Sequence, residues 1–181
     1  MKIHSLLAAC FFALSGAAAA ATGPAGEFTA VARVETAGGT RSMPCTIIVS
    51  RPVPYPEVAP LRNLLEQGGQ QAVLAAIRGG SRGTLSLGGI EYPLDLVIFE
   101  PKGKGFRYVV VTSRPIRWEE SEQGESSLDY PFSVVVFEEP EVGLGEGQVC
   151  PRAALEIDED GHVRAVAYKE RMGVLKEIRR R

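Results

Sequence analysis

Two apolar runs joined by a short loop decide the fold of this chain: "LDLVIFEPKGKGFRYVVVT", residues Leu94–Thr112. Neither run alternates regularly with polar residues, which is typical of strands covered on both faces, and β-branched valine suits a pleated surface. The loop "PKGKG" is short enough for a hairpin, so the two strands are expected to pair antiparallel. A third run, "FSVVVF" at Phe132–Phe137, follows. The sequence therefore predicts a sheet with both faces covered in this region.

Further strand patterns lie on both sides of these runs. "FTAVARVET" from Phe28 alternates in apolar character, "CTIIVS" begins at Cys45, and Asp160-Gly161 marks the turn between "VCPRAALEID" and "HVRAVAYKE". The tail "VLKEIRRR" is a candidate last strand. Together these patterns predict about eight strands.

The only helical periodicity lies between two of the strands. In "EVAPLRNLLEQGGQQAVLAAIR", Leu61, Leu64 and Leu65 share one helical face. Gly68 and Gly69 are expected to break the run into two short helices forming a hairpin. The predicted fold class is thus α+β and mainly β: a bent antiparallel sheet, half-barrel or sandwich, with one helical hairpin inserted after the second strand.

The N-terminus has the layout of a secretory signal peptide. A short start with Lys2 precedes an apolar run from Leu6 to Leu14 and a tract of small residues ending near Ala21. The expected organisation is a signal peptide over 1–21, a flexible linker over 22–26 and a single β-rich globular domain over 27–181. The product is expected to be exported, periplasmic or extracellular, with no transmembrane segment in its mature part.

Charge and cysteine content narrow the possible partners. The formal net charge of -2 gives no basic footprint for nucleic acid. In an oxidising compartment Cys45 and Cys150 are candidates for a disulfide, and two separate buried thiols are the alternative. Two cysteines without companion histidines are too few for a structural zinc site, so neither a metal nor another cofactor is expected.

One motif suggests catalysis and fails on its context. "GGSRG", Gly79–Gly83, has the spacing of a nucleophile elbow around Ser81, but that motif requires a turn from a strand into a helix. Here the order is helix to strand. The only histidine after the signal peptide is His162, which the pattern places in a solvated hairpin.

The most distinctive segment is "RPIRWEESEQGESSLDYPF", Arg114–Phe132, which is longer than an ordinary hairpin loop. Long loops between rigid strands often carry binding surfaces. The candidate binding residues are the aromatic and acidic ones: Trp118, Glu119, Glu120, Glu122, Asp129 and Tyr130. A basic protein, a cation or a stacked sugar would suit such a loop. The alternative is a solvated acidic loop whose aromatic rings rest on the sheet.

The strings "SRPI", "DYPF" and "LRNLLEQGGQQAVLAAIR" together resemble a family of uncharacterised bacterial proteins that carry signal peptides. The resemblance implies the same order of elements and no activity or site residue. The function expected from the sequence is therefore a non-catalytic binding or scaffolding module, whose partner is a protein or a small apolar ligand. A carrier enclosing the apolar ligand in a barrel-like cavity is one alternative, and an enzyme using Glu119 or Asp129 as acid and base is another.

Overall fold

A computed structural model describes residues 25–36, 38–117, 128–168 and 172–181. Within these ranges it contains eleven strands and one α-helix. The strands are β1 Gly26–Thr36, β2 Gly39–Val49, β3 Val53–Pro54, β4 Gly83–Leu87, β5 Ile90–Leu94, β6 Leu96–Lys102, β7 Gly105–Thr112, β8 Phe132–Glu139, β9 Gly145–Ile157, β10 Val163–Ala167 and β11 Gly173–Arg180. A 3-10 helix, Tyr55–Val58, and the α-helix α1, Ala59–Ile77, lie between β3 and β4.

The strands form one sheet in the order β3-β6-β7-β8-β9-β11-β1-β2-β4-β5, with β10 paired to β9 outside this order. The sheet curls into an open half-barrel. The predicted mainly β fold, its half-barrel form and the hairpins β6–β7 and β9–β10 are confirmed. The sheet is mixed rather than wholly antiparallel, because β3 pairs parallel with β6. The expected count of about eight strands is too low, because very short strands give little periodic signal.

The central strands are buried on both faces, as their composition predicts. In β7, Tyr108 and Val110 belong to the concave core, whereas Val109 and Val111 face the convex side that α1 covers. Burying each such side chain contributes about 1.5–3 kcal/mol relative to leaving it exposed. Two-sided burial therefore makes β6 to β8 the structural centre of the domain.

The first strand, by contrast, buries one face. Phe28, Ala30, Ala32 and Val34 point into the concave core, as their alternation predicts, while Arg33 is exposed between them. This one-sided wall closes the concave core opposite the two-sided strands.

The predicted helical hairpin is instead one kinked helix. Gly69 leaves the helical conformation inside α1, with φ 64° and ψ −162°, a region open almost only to glycine. The break is thus where the glycine pair predicts it. A helical hairpin, however, needs a connecting loop of two or more residues, and one non-helical residue only bends the axis. Beyond the kink, Val73, Leu74 and Ile77 pack on the convex face of the sheet.

A glutamine next to the kink docks the helix on the sheet. The side-chain amide of Gln70 donates to the carbonyl of Leu155, and its oxygen accepts from the Leu155 N–H, both at 2.9 Å. The β8 pairing of β9 reaches only to Ala153. On this side of β9, the Gln70 side chain therefore makes the two hydrogen bonds that a neighbouring strand would make with Leu155. Without them, these half-buried backbone groups would lack partners.

We expect Gln70→Ala to lower the free energy of unfolding by about 1–3 kcal/mol, because it leaves a donor and an acceptor unsatisfied. The adjacent Gln71 is the matched control, since its bond to the Leu128 carbonyl is exposed. Gln71→Ala should cost no more than about 0.5 kcal/mol. Urea unfolding of both variants measures the difference, and equal losses would contradict the docking role of Gln70.

The predicted disulfide is absent from the structure: Cys45 and Cys150 are both free and buried. Cys45 lies in the concave core and Cys150 in the convex core. Strands β11 and β1 also separate their strands, β9 and β2, so the two sulfur atoms cannot meet in this fold. Burial raises the pKa of the Cys45 thiol to about 12 and also raises that of Cys150, which makes both thiols unreactive.

Among the described residues, no helix has both the length and the apolar character needed to cross a bilayer.

Candidate functional site at the mouth of the half-barrel

The structure describes part of the predicted binding segment. Trp118, Glu119, Glu120 and Glu122 lie outside the described residues. Asp129 is exposed, and the half-buried Tyr130 ring packs against Tyr168 with ring centroids 4.8 Å apart. For Tyr130 this is the arrangement expected of an aromatic side chain that rests on its own domain.

The start of the same segment is held firmly. Ile116 is buried in the concave core, and its N–H donates to the Ser133 hydroxyl at 2.8 Å. The Ser133 hydroxyl in turn donates to the Pro151 carbonyl at 2.6 Å. This buried clip fixes the chain immediately before Arg117, which lies at one end of the half-barrel.

Arg117 borders an open groove of about 500 Å³ at this end, which we call the mouth. Its lining consists of Arg41, Met43, Pro44, Leu87, Gly88, Gly89, Ile90 and Arg117. The volume is within the range of small-ligand pockets. Apart from Arg117, which belongs to the predicted segment, these residues were not found from the sequence, because they come from strands distant in the chain.

Local chain geometry shapes the mouth. Gly88 and Gly89 have φ of 59° and 89°, the left-handed conformations that a tight two-residue hairpin turn requires. This turn ends β4 while β2 continues past it, so Arg41 and Met43 extend the concave face beyond the last residues of β4. Ile90 follows the turn, is 56% exposed and lines the groove.

The mouth combines two guanidinium groups with apolar side chains. Arginine binds carboxylates through paired hydrogen bonds, while Met43, Leu87 and Ile90 offer apolar contact. The arrangement suits a ligand that carries both a carboxylate and an apolar group.

The concave side of the half-barrel is filled by side chains. Phe28, Tyr108 and Phe137 are fully buried, and the rings of Tyr108 and Phe137 stack with centroids 4.7 Å apart. The mouth is a surface groove outside this packed core.

A second groove, of about 520 Å³, lies at the opposite end of β8 beside Phe106 and Leu144. Its carboxylates pair within the fold: Glu138 with Lys102, Glu139 with Arg180 and Glu146 with Lys176. Their charges are therefore already matched. The mouth differs in its residues: two arginines lie beside apolar side chains.

Arg180 closes that opposite end. Its guanidinium donates to Glu139 at 2.8 Å and to the Tyr108 hydroxyl at 3.1 Å, and lies 4.7 Å from the centroid of the Phe28 ring. Burial, followed by the charge of Glu139, raises the pKa of Tyr108. This network joins the last strand to the aromatic core.

His162 has a partner that the sequence did not reveal. Its Nδ1 lies 2.7 Å from Glu100 Oε2, and its ring stacks on Tyr55 at 4.2 Å. Arg107 donates to the other oxygen of Glu100. The His162 side chain is 41% exposed directly before β10, as the sequence predicts for a strand-start residue, but it is also held by these two partners. The cluster of Glu100, Arg107 and His162 joins β6, β7 and the β9–β10 turn.

Ser81 lies elsewhere, on the turn from α1 into β4. This order, helix to strand, excludes a nucleophile elbow.

We expect the Glu100 cluster to make stability depend on pH. Burial alone would raise the pKa of Glu100, but the bonds and charges of Arg107 and His162 lower it overall from 4.5. The resulting stabilisation is present above the unfolded-state pKa and disappears as the pH falls through the lower folded-state pKa. Glu100→Gln should cost about 1 kcal/mol near neutral pH. Chemical unfolding at a series of pH values should show the difference in free energy of unfolding between wild type and Glu100→Gln decreasing below about pH 4.5. A difference that does not depend on pH would contradict the ion pair.

Within the described residues, no group of three or more metal-ligating side chains is assembled. Comparisons with family models, curated proteins and solved structures found no match for this chain.

Proposed function

We propose that this protein is an exported, non-catalytic binding or scaffolding module whose ligand-contacting surface is the mouth. The observation that carries the proposal is the juxtaposition of Arg41 and Arg117 with the exposed Ile90 around an open groove. Contiguous apolar surface rimmed by polar residues is typical of interaction sites, and Ile90 lies here with Met43 and Leu87 beside the two arginines. The proposed surface continues into the segment that begins at Trp118.

The filled concave core supports binding at the surface over enclosure of a small apolar ligand. Carriers with a β-barrel cavity leave space inside the barrel, whereas the concave side here holds large buried side chains, including Phe28 and Phe137. Trp118, Glu119, Glu120 and Glu122, which follow Arg117 in the chain, are proposed to take part in binding as well.

The proposal can be tested with two matched isoleucines. Ile90 is 56% exposed at the mouth, and Ile48 is 43% exposed on the outer face of β2. We expect Ile90→Glu to abolish capture of binding partners from an extract of the cells that make the protein. Ile48→Glu should leave capture intact. Quantitative mass spectrometry of the captured proteins measures both, and unchanged capture by Ile90→Glu would contradict the proposed surface.

A further inference from the structure

Strand β2 has an open edge that runs along the mouth. It pairs with β1 over Gly39–Val49 but with β4 only over Cys45–Val49. The last contact on the β4 side is the bond from the Gly88 N–H to the Pro44 carbonyl, at 3.0 Å. From Gly39 to Met43, no strand of the described chain covers this side of β2.

The register shows which backbone groups are directed outward. Backbone bonding directions alternate along an antiparallel strand, and the Pro44 carbonyl points toward β4. The N–H and C=O groups of Thr40 and Ser42 therefore point the same way, beyond the end of β4. Both residues are exposed, so a row of backbone donors and acceptors borders the groove.

The two strands at the ends of the sheet order both carry proline. Edge strands usually carry proline or charge, which prevents addition of another strand. Pro93 lies in the outermost strand β5, beside Glu91, and Pro54 lies in the short edge strand β3. The open stretch of β2 contains Arg41 and ends at Pro44, but the N–H groups of Thr40 and Ser42 still point outward. A strand could therefore add along Gly39–Met43.

The side chains that flank the open edge define the partner. A strand placed beside β2 would set alternate side chains against Arg41 and Met43, which both line the mouth. Opposite charges and apolar contacts stabilise such cross-strand pairs. Arg41 therefore favours a carboxylate and Met43 an apolar side chain, two residues apart on the same face of the added strand.

Resting on the proposed function, we infer that the ligand is an extended segment of another polypeptide, which adds as a short strand to the open edge of β2. Backbone bonds to Thr40 and Ser42 supply the pairing. A glutamate or aspartate of the segment meets Arg41 and Arg117, and an apolar side chain meets Met43 and Ile90. This is recognition by strand addition, with specificity supplied by alternate side chains.

Blocked synthetic peptides test the inference on the full mature chain. The probe has threonine at alternate positions, with one glutamate and one valine between them in either order. We expect saturable binding by fluorescence anisotropy, weakened about tenfold when glutamine replaces glutamate. Methylation of alternate backbone amides should weaken it at least as much, because it removes ladder hydrogen bonds. Absence of saturable binding, or insensitivity to methylation, would overturn the inference.

Variants of the protein separate backbone pairing from side-chain contact. Ser42→Pro removes the outward N–H at an edge position where proline is tolerated. It should weaken binding of the probe at least about tenfold. Ser42→Ala keeps the N–H and should bind as wild type. Arg117→Gln should weaken binding of the probe several-fold, whereas Arg33→Gln, on the outer face of β1, should leave it unchanged. Thermal unfolding confirms that each variant remains folded.

The outcomes distinguish this inference from the proposed function. Competition by dodecanoate at least as strong as that by the probe would show that the mouth prefers a small amphiphile, which overturns strand addition and leaves binding at the mouth standing. Normal partner capture by Ile90→Glu would instead remove the mouth itself as the site.

Discussion

Replacing Phe28 by alanine is expected to lower the free energy of unfolding by about 3–5 kcal/mol, the usual cost of a large cavity in a core. Phe28 is fully buried, its ring centroid lies 5.3 Å from that of Tyr108 and 5.0 Å from that of Phe137, and Arg180 lies over its face. The substitution therefore removes contacts shared by three strands besides β1: β7, β8 and β11.

Phe28→Leu is the control for volume, because it refills most of the cavity and should cost less than about 1.5 kcal/mol. Guanidinium unfolding monitored by circular dichroism measures both variants. If the alanine variant does not fold, the leucine variant still tests the site. A loss from Phe28→Ala below about 1 kcal/mol would mean that the concave core is not packed around this ring.

Replacing Ser133 by alanine is expected to cost about 2–4 kcal/mol, because it leaves the Ile116 N–H and the Pro151 carbonyl without their buried partner. Ser133 is fully buried, and its hydroxyl accepts from Ile116 and donates to Pro151. The same substitution should loosen the chain leading to Arg117. Stability and binding at the mouth are therefore expected to fall together.

Ser86→Ala is the matched control for this prediction, since Ser86 is only half-buried and lies between the concave-facing residues of β4. It should change the free energy of unfolding by less than about 0.5 kcal/mol. Differential scanning calorimetry measures the stabilities, and amide exchange at Arg117 reports the loosening. Faster exchange without loss of stability, or no change in either, would contradict the role given to the clip.

Features governed by local pattern were the ones that the sequence predicted well. The dense runs around Val97, Val110 and Val135 indicated strands covered on both faces, and Asp160-Gly161 indicated its turn. These signals depend on residues close together in the chain, where alternation and turn chemistry act directly. Gly69 was a correct break signal for the same reason, although the chain bends there instead of reversing.

Contacts between distant residues were the ones that the sequence did not reveal. Gln70 meets Leu155 across 85 residues, and His162 meets Glu100 across 62. Neither pair leaves a periodic trace. The prediction of a Cys45–Cys150 disulfide was wrong for a related reason. A count of cysteines does not show whether each one lies in the concave or the convex core.

The residues of the mouth also divide into one that the sequence predicted and others that it did not. Arg117 lies in a segment that its length and composition distinguish. Arg41 and Met43 became candidates only because the structure shows β2 extending beyond the end of β4. Their exposure depends on where a neighbouring strand ends. The turn at Gly88 sets where β4 ends. The open edge of β2 therefore depends on the register between β2 and β4, and the residues of β2 alone do not predict it.

The most direct test of the binding account is a crystal structure of the mature chain with the threonine–glutamate–valine peptide. We predict an added strand whose backbone bonds to Ser42, with the glutamate carboxylate at Arg41 or Arg117 and the valine against Met43. A peptide bound in the groove beside Leu144, or bound at the mouth without backbone pairing to β2, would contradict it.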